Sequence, residues 1–132
     1  MKLLVDTSAL LALVLRDDRC HGAAAGFVRA NPQARYVLTE LILAETATRL
    51  RARRTAVESA GVVADLLASR RYELIFLDGE LLRGALEQMR RFADKRLSLT
   101  DCASFEVMER LGLETAFTFD RDFRDCGFRM VP

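Results

Sequence analysis

Apolar positions along this chain fall in short runs, separated by longer stretches in which they return every three or four residues. Short apolar runs fit strands buried on both faces, and the three-to-four spacing fits helices with one buried side. Lys2–Val5 therefore reads as a strand, and Thr7–Leu15 as a helix capped by Thr7 or Ser8. Asp17–Ala30 reads as a second helix, stopped by Asn31 and Pro32. Tyr36–Leu38 reads as a strand running straight into a helix over Thr39–Arg53. Thr55–Ser69 is another helix, with Val57, Gly61, Ala64 and Leu67 or Ala68 near one face. Tyr72–Leu77 is strand-like, and Asp78-Gly79 opens a helix running to about Asp94. Thr100–Leu111 is helical with Gly112 as its stop, Thr115–Phe119 a strand, Arg121–Cys126 a turn and Phe128–Val131 a last strand.

Strands alternating with helices imply an α/β fold, a parallel sheet with helices on both faces. Four to five strands in this length predict a three-layer α/β/α arrangement, and no repeat or linker divides residues 1–132 into more than one domain. With 51% hydrophobic residues, 2 Pro and 7 Gly, the composition is that of a chain able to fill a core. The 20 basic and 19 acidic side chains leave a net charge of +1, which excludes a basic nucleic-acid arm and an acidic tail. Cys20, Cys102 and Cys126 have no CxxC spacing, so neither a disulfide framework nor a zinc site is expected, and a reduced, cytoplasmic compartment fits. The apolar run Ala9–Leu15 is far short of the roughly 20 residues that cross a bilayer, so no membrane association is expected. Arg16, Asp17 and Asp18 stand where an export signal would need small residues.

Ligands of open α/β sheets bind beyond the carboxyl ends of the strands, so acidic residues expected there carry the functional question. Asp6 directly follows the first strand and Asp120 the strand Thr115–Phe119; either also suits an ordinary helix cap. Glu45 lies on or beside the buried stripe of its helix, with Leu41 at i−4, although Arg49 at i+4 offers it a surface partner. Asp101 shares a helix face with Phe105 and Met108, at the positive end of the helix, where first-turn stabilisation with Ser98 or Thr100 as cap is the alternative role. Four carboxylates in one crevice repel each other unless a hard cation with oxygen ligands holds them ionised. His21 is the only histidine, so Mg²⁺ or Mn²⁺ is the expected ion rather than zinc. Such an ion polarises a phosphoryl oxygen and activates water, which points to phosphodiester hydrolysis.

The segments VDTSALLAL, LTELILAETATRL, DKRLSLTDCASFEVM and TFDRDF, in that order from residue 1 to about residue 130, resemble PIN-domain ribonucleases. The closest resemblance is to the VapC toxins of bacterial toxin–antitoxin pairs. It implies that the four family acids fall on Asp6, Glu45, Asp101 and Asp120, with Thr7 or Ser8 and Thr118 as neighbouring hydroxyls near the metal. Where many relatives carry His, this chain has Asp122, a fifth acid that competes with Asp120 for the ion. The resemblance further implies a Mg²⁺-dependent endoribonuclease, an RNA substrate, a homodimer, and an antitoxin that covers the acids with an arginine or lysine.

Two other readings remain open on these residues. A phospho-receiver domain also has an acidic Mg²⁺ pocket, but wants paired acids after its first strand, where this chain has Asp6 alone. A catalytically silent PIN module acting only as a binding partner is opposed by the complete set of four acids. Arg49, Arg51, Arg53 and Arg54 are read as decorating a helix C-terminus, with RNA steering the lesser reading. Phe117, Phe119, Phe123 and Phe128 are read as core, and Cys102 as a small buried side chain.

Overall fold

Leu3, Leu4 and Val5 are fully buried, which places β1 (Lys2–Val5) at the centre of the sheet. In the computed structural model, which describes residues 1–132, β2 (Arg35–Thr39) and β3 (Tyr72–Ile75) lie outward on one side of β1. On the other side lie β4 (Thr115–Phe117) and β5 (Arg129–Val131). The order is β3-β2-β1-β4-β5 and every pairing is parallel, with Leu4 opposite Ala116 and Val5 opposite Phe117 in the β1–β4 ladder. The helices are α1 (Thr7–Val14), α2 (His21–Ala30), α3 (Glu40–Arg51), α4 (Ala56–Ala68), α5 (Gly79–Arg91), α6 (Leu99–Leu111) and α7 (Arg121–Asp125). They cover both faces and complete the three-layer α/β/α arrangement expected from the alternation. A cluster of 24 buried residues fills the interior, with Phe105, Phe117 and Phe123 among its largest members.

Several element boundaries differ from the pattern-based ones, each for a local polar reason. The second helix begins at His21 rather than Asp17, because the Asp18 carboxylate takes the Cys20 N–H at 2.7 Å and makes a turn. The third strand stops at Ile75 because the Leu77 N–H goes to the Glu40 carboxylate, at 2.9 and 3.1 Å. The fourth stops at Phe117, since the Phe119 N–H is taken by Ser8 Oγ instead of a neighbouring strand. The segment after Asp120 forms a short helix, because Asp120 Oδ1 caps it at Asp122 N. In α4 the packed side is Ser59, Val62, Val63 and Leu66, while Val57 and Leu67 face solvent.

This strand order places the site. From β1 the chain builds outward through β2 and β3, then returns to the other side of β1 to form β4 and β5. Loops leaving β1 and β4 therefore diverge and open a crevice at their carboxyl ends. The Asp6 N–H donates to the Phe117 carbonyl at 3.0 Å and ties the two strand ends together at the crevice floor.

Candidate active site

Asp6 ends β1 and caps α1; it is almost fully buried. Its Oδ2 accepts from Ser8 Oγ at 2.8 Å, Thr118 Oγ1 at 3.1 Å and Ser8 N at 3.3 Å. All three donors converge on one oxygen, which leaves Oδ1 without a side-chain donor. The same two hydroxyls accept from the chain beyond β4: Ser8 Oγ from Phe119 N at 2.9 Å, and Thr118 Oγ1 from Asp120 N at 3.0 Å. Ser8 and Thr118 thus fix Asp6 and carry the orientation of Asp120. Thr7 plays no such part: its hydroxyl is buried, has no partner, and lies outside the crevice lining.

Asp101 is the third residue of α6, and Ser98 is its cap. The two form a reciprocal capping box, Asp101 N to Ser98 Oγ and Ser98 N to Asp101 Oδ2, both at 3.1 Å. The first-turn role considered for Asp101 is therefore real, and it coexists with a place in the crevice. Glu45 does the same, pairing loosely with Arg49 at 3.6 Å while facing the crevice from α3. Asp6, Glu45, Asp101, Asp120 and Asp122 share a cavity of about 270 Å³ with Ser8, Arg49, Arg96 and Ser98, and no hydrophobic side chain lines it.

Within this cavity Asp101, Asp120 and Asp122 each bring a carboxylate oxygen to within 4.8 Å of the others. Asp122 stands beside Asp120 in this cluster, because Asp120 caps α7 and Asp122 sits in that helix's first turn. The crowding shows in the acidities. Burial first, then the charges of Asp6 and Asp120, push the Asp101 carboxyl up to about 6, against the bonds from Ser98. Burial raises Asp6 against its bonds from Ser8, Thr7 and Thr118. Burial and the charges of Asp120 and Asp125 raise Asp122, with Lys95 opposing. Oxygen-only donors at mutual repulsion are the donor set of a hard divalent cation, so the residues present fit Mg²⁺ or Mn²⁺. Cys102 next to Asp101 is buried and its thiol is pushed up to about 11, so it supplies no nucleophile.

A family model for the PIN domain matches residues 3–129. The chain belongs to the PIN-domain family. This PIN domain is 32% identical over 124 residues to the 23S rRNA-specific endonuclease VapC20 of Mycobacterium tuberculosis, covering 94% of this chain and 93% of that protein. The crystal structure of M. tuberculosis VapC20, a Sarcin–Ricin loop cleaving toxin, superposes with a TM-score of 0.85 at 29% identity, covering 96% of this chain and 95% of that one. VapBC2 from Rickettsia felis shares the fold at a TM-score of 0.74 and 10% identity, over 98% of this chain and 97% of that one. PIN domains are nucleases, and the resemblance seen in the sequence to VapC toxins holds across nearly the whole PIN domain.

In the sequence Arg49 reads as a surface partner of Glu45 and part of a helix C-terminal cluster, and Arg96 is not singled out. Arg49 stood in a basic cluster that looked uniform, yet Arg53 pairs with Asp17 and Arg51 bonds the Arg54 carbonyl, while Arg49 alone of the four faces the acids. Arg96 had no signal: it lies in a loop, and only the fold brings it to the cavity.

Proposed function

We propose that this PIN domain is the toxin of a toxin–antitoxin pair, a divalent-metal-dependent endoribonuclease that cuts the large-subunit ribosomal RNA. The observation that carries this reading is the all-polar acidic cavity at the switch point of the sheet. The choice of ribosomal RNA rests on the identity to the 23S rRNA-specific VapC20. Asp101, Asp120 and Asp122 would hold the cation with Asp6, and Glu45 would complete the acidic ring. Mg²⁺ bound there supplies Lewis-acid polarisation of the phosphoryl group and a lowered pKa for water. Ser8 and Thr118 hold the Asp6 carboxylate still, so that its other oxygen is aimed before substrate arrives. Arg49 and Arg96 stand at the cavity wall, where a guanidinium offsets the repulsion between five carboxylates and an RNA phosphate.

An antitoxin suits the same charge pattern: a segment carrying Arg or Lys would neutralise the acids and block the crevice. A homodimer is the proposed assembly, and the exposed Leu82, Leu86 and Met89 of α5 offer apolar surface for it. The three free cysteines agree with a cytoplasmic site of action, and no helix is long and apolar enough to cross a membrane.

The test is incubation of the purified protein with ribosomes in Mg²⁺, in chelator, and as the variants Asp6→Asn, Asp101→Asn and Asp122→Asn. Primer extension should show a discrete cut in the large-subunit RNA with wild type in Mg²⁺ only. A variant that cuts at wild-type rate removes that residue from the site. A wild type that cuts tRNA or mRNA and leaves ribosomes intact keeps the chemistry and overturns the target.

A further inference from the structure

A second cavity, of about 240 Å³, opens directly beside the acidic one and shares Ser8, Arg49 and Asp120 with it. Its other walls include Leu11, Arg19 and Phe119. The two cavities differ in chemistry. No hydrophobic side chain lines the acidic one, whereas this one combines an aromatic residue, an aliphatic side chain and two arginines, with Asp18 and Asp120 as its acids. Arg19 is exposed and makes no ion pair, and Arg49 has only its loose contact to Glu45. A solvent-exposed i,i+4 pair of that kind is worth about 0.3–0.5 kcal/mol, which a phosphate readily replaces. Phe119 is partly buried: it packs against the core, its ring meeting Phe117 at 6.3 Å edge-on, and the residue also borders this cavity. Its backbone N–H is held by Ser8 Oγ, the same hydroxyl that holds Asp6, so the backbone of Phe119 is fixed relative to the acids.

We infer that this neighbouring groove is a subsite for one unpaired nucleotide next to the scissile phosphate, with its base on Phe119 and its phosphate on Arg19 and Arg49. The inference rests on the ribonuclease reading and adds to it how the RNA strand is positioned. Unpaired bases stack on aromatic rings and arginine planes, and single strands are tracked by basic groups alternating with such rings. At about 240 Å³ the groove is below the roughly 300–1,000 Å³ of sites that bury a whole ligand, so it covers part of one nucleotide and cannot take a duplex. Five acids in the adjoining cavity repel the RNA backbone, so attraction must come from cations at its edge, and Arg19 and Arg49 stand there on the side of this groove.

The experiment measures binding of a fluorescein-labelled single-stranded RNA dodecamer by anisotropy, in chelator so that no cleavage intervenes. The same sequence as a duplex is the second probe. Wild type, Phe119→Leu, Phe119→Tyr, Arg19→Ala and, as a remote control, Arg90→Ala are compared, with melting curves to confirm folding. Loss of stacking at one base predicts that Phe119→Leu weakens single-strand binding roughly 5- to 100-fold, and that Phe119→Tyr restores it. Arg19→Ala, an exposed position that cannot unfold the protein, should weaken binding and reduce the salt dependence by about one phosphate contact. Duplex binding should be indifferent to Phe119. If Phe119→Leu and Arg19→Ala bind the single strand like Arg90→Ala, the subsite is wrong while the nuclease reading stands. If wild type neither binds nor cuts RNA, both readings fail together.

Discussion

At the scale of single residues, the crevice sets its chemistry through two hydroxyls and one overburdened acid. Thr118 is buried and donates to Asp6 while accepting from Asp120 N. Thr118→Val keeps the shape and removes both bonds; Asp6 Oδ2 keeps its two donors from Ser8, but the Asp120 N–H loses its acceptor, at about 1–3 kcal/mol. Chemical denaturation of the variant should read that loss, and RNA cleavage should fall with it because Asp6 and Asp120 lose their common anchor. Asp101 gives a pH-dependent prediction. Its carboxyl is raised from the ordinary 3.8 to about 6, so the metal-free fold favours the protonated form. Its stabilising contribution is complete below the ordinary value and is lost as pH rises through about 6. Asp101→Asn keeps an oxygen for the Ser98 N–H but cannot ionise. In chelator, the variant should gain stability relative to wild type between pH 4 and 7. A difference between the two proteins that stays constant across that range would mean Asp101 is not strained by its surroundings.

At the scale of elements, the helices that carry the acids are themselves held by specific polar contacts. α6 packs closely on α5, and at Gly84 of α5 an added Cβ would stand 2.3 Å from Glu106 Oε1. Glu106 is not free to move aside, because Arg110 at 2.8 Å and Gln88 at 3.1 Å hold its carboxylate. Gly84→Ala gains about 1 kcal/mol of helix propensity and loses about 1–3 kcal/mol to overpacking. The overpacking cost is the larger, so the variant should melt lower than wild type. Ala at Gly22 or Gly26 of α2, where no atom lies within 4 Å of an added Cβ, should melt higher. A Gly84→Ala protein as stable as those two would show that the α5–α6 seam yields without cost.

At the scale of the whole molecule, acid crowding couples metal binding to folding. Mg²⁺ recognises only the folded arrangement of Asp101, Asp120 and Asp122, since Asp101 is separated from the other two by an intervening strand. At ten times its Kd it should add about 1.4 kcal/mol. For a domain of this size that is a rise of roughly 3–7 °C in Tm. Asp101→Asn should gain less, because one charge that the cation needs is gone. Melting curves in chelator and in millimolar Mg²⁺ measure both, and a wild type indifferent to Mg²⁺ would mean that the acids do not share an ion.

Much of this was legible in the sequence because it is local. Strand and helix order, Asp6 directly after β1, Ser98 as one of two candidate caps of α6, and the facing of Glu45 and Asp101 follow from periodicity and capping within a few residues. Boundaries slipped where a side chain captured a backbone N–H, as Glu40 does at Leu77 and Ser8 at Phe119; one of these captures spans 37 positions and the other 111. Only the tertiary structure decided that Asp122 stands with Asp101 and Asp120, that Arg49 alone of its cluster meets the acids, and that Phe119, while packed against the core, also borders a groove. The physical reason is the strand order. By setting β4 beside β1, the fold brings Ser8 and Thr118, 110 positions apart, to 3.2 Å, and no periodicity along a chain encodes which strand ends become neighbours.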